Sequence, residues 1–116
     1  MLNKVMLIGR LGKDPEMRFT PQGSPVTTFS LATERSWRDS EGELHKETEW
    51  HTIVTWNKLA EMCHEHVRRG SRIYVEGRLK TRSWEDDQQA THYHTEVIAE
   101  DVIFLDRKRV EASAEE

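Results

Sequence analysis

One segment has apolar residues at helical spacing, in a chain whose pattern otherwise predicts short β-strands. The position of this segment among the strands constrains the fold more than any other feature. The residues at helical spacing are Leu59, Met62, Cys63, His66 and Val67. They predict an amphipathic helix of about three turns. Asn57 is placed to cap its start and Gly70 to end it.

Five strand-like runs surround this helix, three before it and two after it. They cover residues 3–11, 26–33, 49–56, 72–80 and 93–104, with polar loops at 34–46 and 84–91. Three strands, a helix and two strands is the order of an OB-fold, a five-stranded Greek-key β-barrel of the all-β class. We expect one domain over residues 1–106 and a short acidic tail over 107–116.

Composition narrows the class of protein. A chain of 116 residues with a charged fraction of 33% fits one small polar-surfaced domain. No stretch is long enough to span a bilayer, and a single cysteine, Cys63, is compatible with a reducing cytoplasm. The net charge of −4 does not exclude a nucleic-acid partner, because acidic and basic residues fall in separate segments.

Four tryptophans beside basic residues are the strongest functional signal. Trp50 and Trp56 lie six positions apart on one predicted strand, so both side chains point to the same face, about 20 Å from each other. Alternation puts Trp84 on one face with Lys80 and Arg82. The fourth, Trp37, follows the Arg35-Ser36 pair and precedes Arg38 within a charged loop.

Aromatic rings stack on the flat bases of single strands, and lysine or arginine offsets the phosphates, with little dependence on sequence. For Trp50 and Trp56, burial in the core remains an equal alternative on pattern alone. Trp37 and Trp84 adjoin charged loops, where a core role is not expected.

The chain resembles the bacterial single-stranded DNA-binding protein family from about Leu2 to Leu105. The matching stretches are Asn3-Lys4-Val5, Gly9-Arg10-Leu11-Gly12-Lys13-Asp14-Pro15-Glu16, Leu31-Ala32-Thr33, Ser36-Trp37-Arg38-Asp39, Thr48-Glu49-Trp50-His51, Lys58-Leu59-Ala60-Glu61, Arg69-Gly70-Ser71, Val75-Glu76-Gly77-Arg78-Leu79 and Thr81-Arg82. Many blocks in the right order are more specific than any single motif.

The resemblance implies a non-enzymatic OB-fold protein of DNA replication, recombination and repair, located at the bacterial nucleoid. It assigns base stacking to Trp37, Trp50 and Trp84, and to an aromatic residue at the place of Trp56. The candidate phosphate contacts are Lys4, Arg18, Arg38, Lys58, Arg69, Lys80 and Arg82. A homotetramer is typical of the family, although the sequence leaves a dimer open, and His51 and Tyr74 are the candidate interface residues. Neither a cofactor nor a metal is expected.

Two departures from the family pattern stand out. Thr52 occupies a place where relatives often carry a basic residue, so one phosphate contact is expected to be missing. The family also ends in an acidic tip that closes on hydrophobic residues and recruits replication and repair proteins. Residues 107–116 are acidic without that apolar anchor, which indicates either a tailless variant or a shortened chain.

Two other functions compete with this interpretation. A zinc enzyme would need the Cys63-His64-Glu65-His66 stretch, but on a helix Cys63 and His66 share a face that His64 does not. A related OB-fold module, such as a primosome-type dimer, a plasmid or phage accessory protein or an RNA-preferring binder, is closer, since the fold serves several ligands. The tryptophan pattern favours extended single strands over duplex.

Overall fold

The computed structural model describes residues 1–106 and folds them into one closed barrel with a single helix. The elements are β1 (Val5–Leu11), β2 (Glu16–Phe19), β3 (Pro25–Arg38), β4 (Leu44–Trp56), α1 (Asn57–His66), β5 (Arg72–Glu85) and β6 (Thr91–Phe104). The strand order is β1-β5-β6-β4-β3-β2, and an additional β1–β3 pairing closes five of the strands into a barrel. The predicted OB-fold is confirmed. The predicted tail at 107–116 lies outside the described residues.

The four longest strands extend well beyond the predicted bounds and form two hairpin arms. β3 and β4 stay paired from Val26 opposite Trp56 out to Arg38 opposite Leu44. β5 and β6 stay paired out to Glu85 opposite Thr91. The predicted loops at 34–46 and 84–91 are therefore wrong in extent. Both faces of each arm are exposed, so the arm residues show no apolar alternation from which a strand could be predicted.

The helix follows β4 without a loop, and its predicted caps are wrong. Trp56 occupies the N-cap position in extended geometry and makes no side-chain capping bond. Asn57 is the first helical residue, at a φ of 57°. The helix ends at His66, and Gly70, at a φ of 87°, belongs to the turn that follows it. Among the described residues, no helix is long and apolar enough to cross a membrane.

The core lies inside the barrel, and α1 packs against it. Leu31, Ile53 and Ile73 are fully buried, as are Cys63 and Val67 at the helix. Burial raises the pKa of the Cys63 thiol to about 11, so this side chain behaves as a small apolar group. The arrangement favours a structural role for the Cys63-His64-Glu65-His66 stretch.

A buried threonine ties the helix to the barrel. The Thr27 hydroxyl donates a hydrogen bond of 2.7 Å to the carbonyl oxygen of Ala60 and so holds α1 against β3. The Thr55 hydroxyl donates one of 2.9 Å to the carbonyl oxygen of Thr27, which joins β3 to β4, the strand that carries Trp50 and Trp56. These bonds satisfy both buried hydroxyls.

Candidate nucleic-acid interface

Trp50 and Trp56 both lie on the outer face of β4. Ile53 and Thr55 point into the core and are fully buried, whereas Trp50 is 57% exposed and Trp56 43% exposed. The shared outward face expected from their spacing is confirmed, and neither ring is a core residue.

Basic side chains of β5 surround Trp56. A shallow cleft of about 470 Å³ is lined by Trp56 together with Arg78, Lys80 and Arg82. Glu96 in the same cleft is 9% exposed and forms an ion pair of 3.0 Å with Arg82. Arg78 also pairs with Glu100 at 3.8 Å, so the three cations of the cleft meet two carboxylates and the cleft keeps an excess of one positive charge, although the net charge of the chain is negative.

Trp50 lies over a second cleft, beside Gly12 and Lys13. The indole packs so closely on Gly12 that a Cβ built there would stand 2.7 Å from Cη2 of Trp50. Only glycine leaves room for this ring position. Thr28 lines both this cleft and the Trp56 cleft, so the two adjoin on the outer face of β3 and β4.

Trp37 and Trp84 lie near the ends of the two hairpin arms, within strands and not in loops. Trp37 is stacked on His45, with ring centroids 5.4 Å apart and 20° between the planes. Trp84 is stacked on His92 at 5.5 Å and 24°. The Arg35 guanidinium carbon lies 4.5 Å from the centroid of the Trp37 ring. Both indoles remain exposed enough to meet a ligand.

The predicted phosphate-binding residues fall into two groups. Lys4 is ion-paired with Glu76 at 2.6 Å and Arg18 with Glu16 at 3.5 Å, and Arg82 has its bond to Glu96. The hydrogen bond to Glu76 raises the pKa of Lys4. Within residues 1–106, the candidates without an ion-pair partner are Arg38, Lys58, Arg69 and Lys80.

Several residues of this surface were not predicted from the sequence. Arg78 has the same strand parity as Lys80 and Arg82, and that alternation could have identified it. Lys13 and Gly12 lie within one of the matching stretches but gave no signal of contact with Trp50. A contact between paired strands is not visible along one strand, and the signal that could have found His45 and His92 is their equal spacing from Trp37 and Trp84.

The two candidate interface residues lie on different faces. His51 points to the core side of β4, where its Nε2 is 2.9 Å from the Thr33 hydroxyl. Tyr74 lies on the outer face of β5, between Ile8 of β1 and Ile103 of β6 in the pairing register. Ile8 and Ile103 are about half exposed, so Tyr74 sits in an apolar surface patch.

An OB-fold barrel that carries exposed tryptophans and lysine or arginine on one surface defines a nucleic-acid-binding protein of the single-strand type. The model of the single-strand binding protein family matches residues 2–105. The chain therefore belongs to that family, which consists of DNA-binding proteins and not of enzymes.

Three known proteins show the extent of the similarity. Single-stranded DNA-binding protein 1 of Chlorobaculum tepidum is 49% identical over 108 residues, which cover 92% of this chain and 67% of that protein. The structure of a Plasmodium falciparum SSB complex with ssDNA superimposes with a TM-score of 0.85 at 42% identity, over 91% of this chain and 96% of that one. The structure of a deletion mutant of the Thermus aquaticus single-stranded DNA binding protein superimposes with a TM-score of 0.80 at 34% identity, over 90% of this chain and 51% of that one.

Proposed function

We propose that this protein coats single-stranded DNA during replication, recombination and repair by stacking bases on Trp37, Trp50, Trp56 and Trp84. The observation that carries the proposal is the outer face of β4, where two exposed indoles adjoin the basic residues of β5. Stacking uses the π-face that every base has, and basic side chains meet a backbone common to all sequences. Binding is therefore independent of sequence, apart from a modest preference for pyrimidine runs.

The distribution of charge supports the same proposal. Acidic residues gather in the two hairpin turns, at 39–43 and 85–87, which adjoin Trp37 and Trp84 but not the Trp56 cleft. Lys80 and Arg78 line that cleft, and Lys58 follows Trp56 by two positions, so a phosphate backbone that crosses β4 and β5 meets cations there. At Lys4 and Arg18, a DNA phosphate has to compete with the carboxylates of Glu76 and Glu16, which are already paired with these side chains.

A tryptophan-fluorescence titration tests the function directly. Oligo(dT) is expected to quench the emission strongly, because stacked bases cover the indoles, whereas duplex DNA of equal length leaves it nearly unchanged. If about five phosphates are neutralised, the logarithm of the binding constant falls with the logarithm of salt concentration at a slope of about −3.5. Equal quenching by duplex, or none by oligo(dT), contradicts stacking on these residues.

We further propose that the protein works as a homo-oligomer, with a tetramer as the family-typical state. The apolar patch around Tyr74 supports this, since Met6, Ile8 and Ile103 are each about half exposed on the same sheet face. Tyr74 donates a hydrogen bond of 2.6 Å to Glu76, which fixes the ring at the edge of the patch. Oligomerisation multiplies the binding surface without any new contact to DNA.

Substitution tests the role of His51 in this assembly. His51→Leu removes the ring nitrogen that lies 2.9 Å from the Thr33 hydroxyl and is expected to shift the protein toward smaller species. Sedimentation velocity at equal protein concentration measures the oligomeric state. His51→Gln, which keeps a hydrogen-bonding group for Thr33, should sediment more like the native protein. A native oligomer in His51→Leu contradicts the role.

The proposal places the protein on DNA strands opened in the cytoplasm, at the bacterial nucleoid, where it meets replication and repair proteins. What supports this is the DNA partner itself, because single strands are exposed where those proteins work. The tail motif considered for their recruitment falls on residues 107–116, outside the described residues.

A further inference from the structure

The two hairpin arms carry the same three residues at the same spacing. In the β3–β4 arm, Asp39 follows Trp37 by two positions and His45 follows Asp39 by six. In the β5–β6 arm, Trp84, Asp86 and His92 repeat both intervals. The repeat extends two residues further, because Arg35-Ser36 precedes Trp37 as Arg82-Ser83 precedes Trp84, and a repeat of this length points to a common purpose.

Each of these aspartates joins the turn to the histidine. One carboxylate oxygen of Asp39 accepts hydrogen bonds from the backbone N–H groups of Glu41 and Glu43, and the other is 2.8 Å from Nε2 of His45. These bonds hold the pKa of Asp39 below its usual value, with the bond to His45 as the largest cause. The carboxylate is thus ionised and fixed to the turn.

The second arm repeats these contacts bond for bond. Asp86 accepts from the backbone N–H groups of Gln88 and Ala90 and lies 2.8 Å from Nε2 of His92. The bond to His92 is again the largest cause of a lowered pKa, here that of Asp86. In both arms the histidine ring is therefore anchored at one edge and stacked on a tryptophan.

An anchored ring changes what the tryptophan can do. A half-exposed indole on a projecting arm has several accessible rotamers, and ordering it on binding DNA costs free energy. A neighbouring ring that is already fixed favours one of those rotamers before DNA arrives. We propose that His45 and His92 are positioning residues that hold Trp37 and Trp84 ready for base stacking.

A cation site is the competing explanation for the first arm, where Asp39, Glu43 and His45 could together approach one ion. The second arm argues against it. Ala90 stands there at the place of Glu43 and supplies only its backbone N–H, yet the Trp84–His92–Asp86 geometry is the same. The shared element is the stacked and anchored ring, so no ion is needed to explain it.

This role presupposes stacking at Trp37 and Trp84, so the inference rests on the proposed function, but its first test needs no DNA. In protein labelled with 5-fluorotryptophan, each of the four tryptophans gives one fluorine resonance. His45→Leu is expected to move and broaden the resonance of Trp37, and His92→Leu that of Trp84, because an indole without its fixed neighbour exchanges among rotamers, while the resonances of Trp50 and Trp56 stay.

Other charged groups face the two histidines and have to be separated from them. Around His45 these are Asp39, Glu43, Glu47 and Arg35. Around His92 they are Asp86 and, on the same face of the arm, Arg82 and His94 in the second pair along and Glu96 in the fourth. His45→Phe and His92→Phe leave all these charged groups in place and keep a ring beside the indole, so each should broaden the resonance of its own tryptophan less than the leucine variant does.

The second test measures affinity for oligo(dT). His45→Leu and His92→Leu are each expected to lower it by about twofold to tenfold, the size of one aromatic pair. The phenylalanine variants keep a ring beside the indole but lose its bond to the aspartate, so they should recover only part of the lost affinity. His64→Leu, on the exposed side of α1, is the matched control and should bind like the native protein.

The outcomes separate the inference from the function on which it rests. Native affinity in both leucine variants, with reduced affinity in Trp37→Ala and Trp84→Ala, overturns the positioning role and leaves the stacking function intact. Native affinity in all four variants overturns both the positioning role and the proposed stacking at Trp37 and Trp84. Fluorine resonances of Trp37 and Trp84 that keep their native position and width in the leucine variants also overturn the positioning role, whatever the affinities. Thermal unfolding checks that each variant is folded.

Discussion

Replacing both Trp50 and Trp56 by alanine is expected to weaken binding to oligo(dT) by about 30-fold to 10⁴-fold. Each base stacked on an aromatic ring contributes about 1–3 kcal/mol, and two adjoining platforms are removed together. Both rings are substantially exposed, so the barrel should keep its stability. The measurement is a fluorescence-anisotropy titration with labelled oligo(dT), beside thermal unfolding of the same samples.

The matched control is Tyr93→Ala. Tyr93 is 72% exposed and pairs with Ser83 on the other face of the β5–β6 arm from Trp84. Its loss should leave the affinity unchanged. Phenylalanine at positions 50 and 56 should recover most of the affinity, and the salt slope should persist in every variant because the cations remain. An affinity of the double alanine variant within about threefold of native would contradict stacking on β4.

The parts of the fold that could be predicted from the sequence are those where one strand face is buried. In β4, the contrast between Ile53 or Thr55 inside and Trp50 or Trp56 outside follows directly from alternation. The arms lack this contrast, since water surrounds both faces. The first arm is held together by contacts between its two strands, which include the Arg35–Glu47 ion pair at 3.4 Å. Contacts of that kind are not visible along the sequence of one strand.

Local signals also failed where tertiary structure overrides them. Asn57 has the chemistry of a capping residue, but β4 runs directly into the helix and leaves Trp56 at the cap position. For the proposed site, spacing and basic neighbours predicted the tryptophans, and the structure places Trp50 and Trp56 on one exposed face. The supporting histidines were missed, although a comparison of the segments around Trp37 and Trp84 reveals the repeated aspartate and histidine spacing.

Gly77→Ala is expected to cost at least about 3 kcal/mol of unfolding free energy, above the usual range for one extra methyl group. A Cβ at this position would lie 2.1 Å from the carbonyl oxygen of Ile98 and 2.9 Å from Cα of Ala99. Both are backbone atoms of the paired strand, so no side-chain rotation relieves the clash. The register of β5 against β6 shifts between Glu76 and Gly77, and such bulges bring strands close together.

Urea unfolding at fixed protein concentration measures this cost, since an oligomer's stability depends on concentration. Gly42→Ala is the control: nothing lies within 4 Å of its Cβ, so only its φ of 82° opposes the substitution, at about 1–2 kcal/mol. Equal losses of unfolding free energy in Gly77→Ala and Gly42→Ala would show that β5 and β6 move apart and accommodate the methyl group. If β5 is instead displaced, Arg78 and Lys80 move with it, and the folded fraction of Gly77→Ala should bind oligo(dT) with a reduced salt slope.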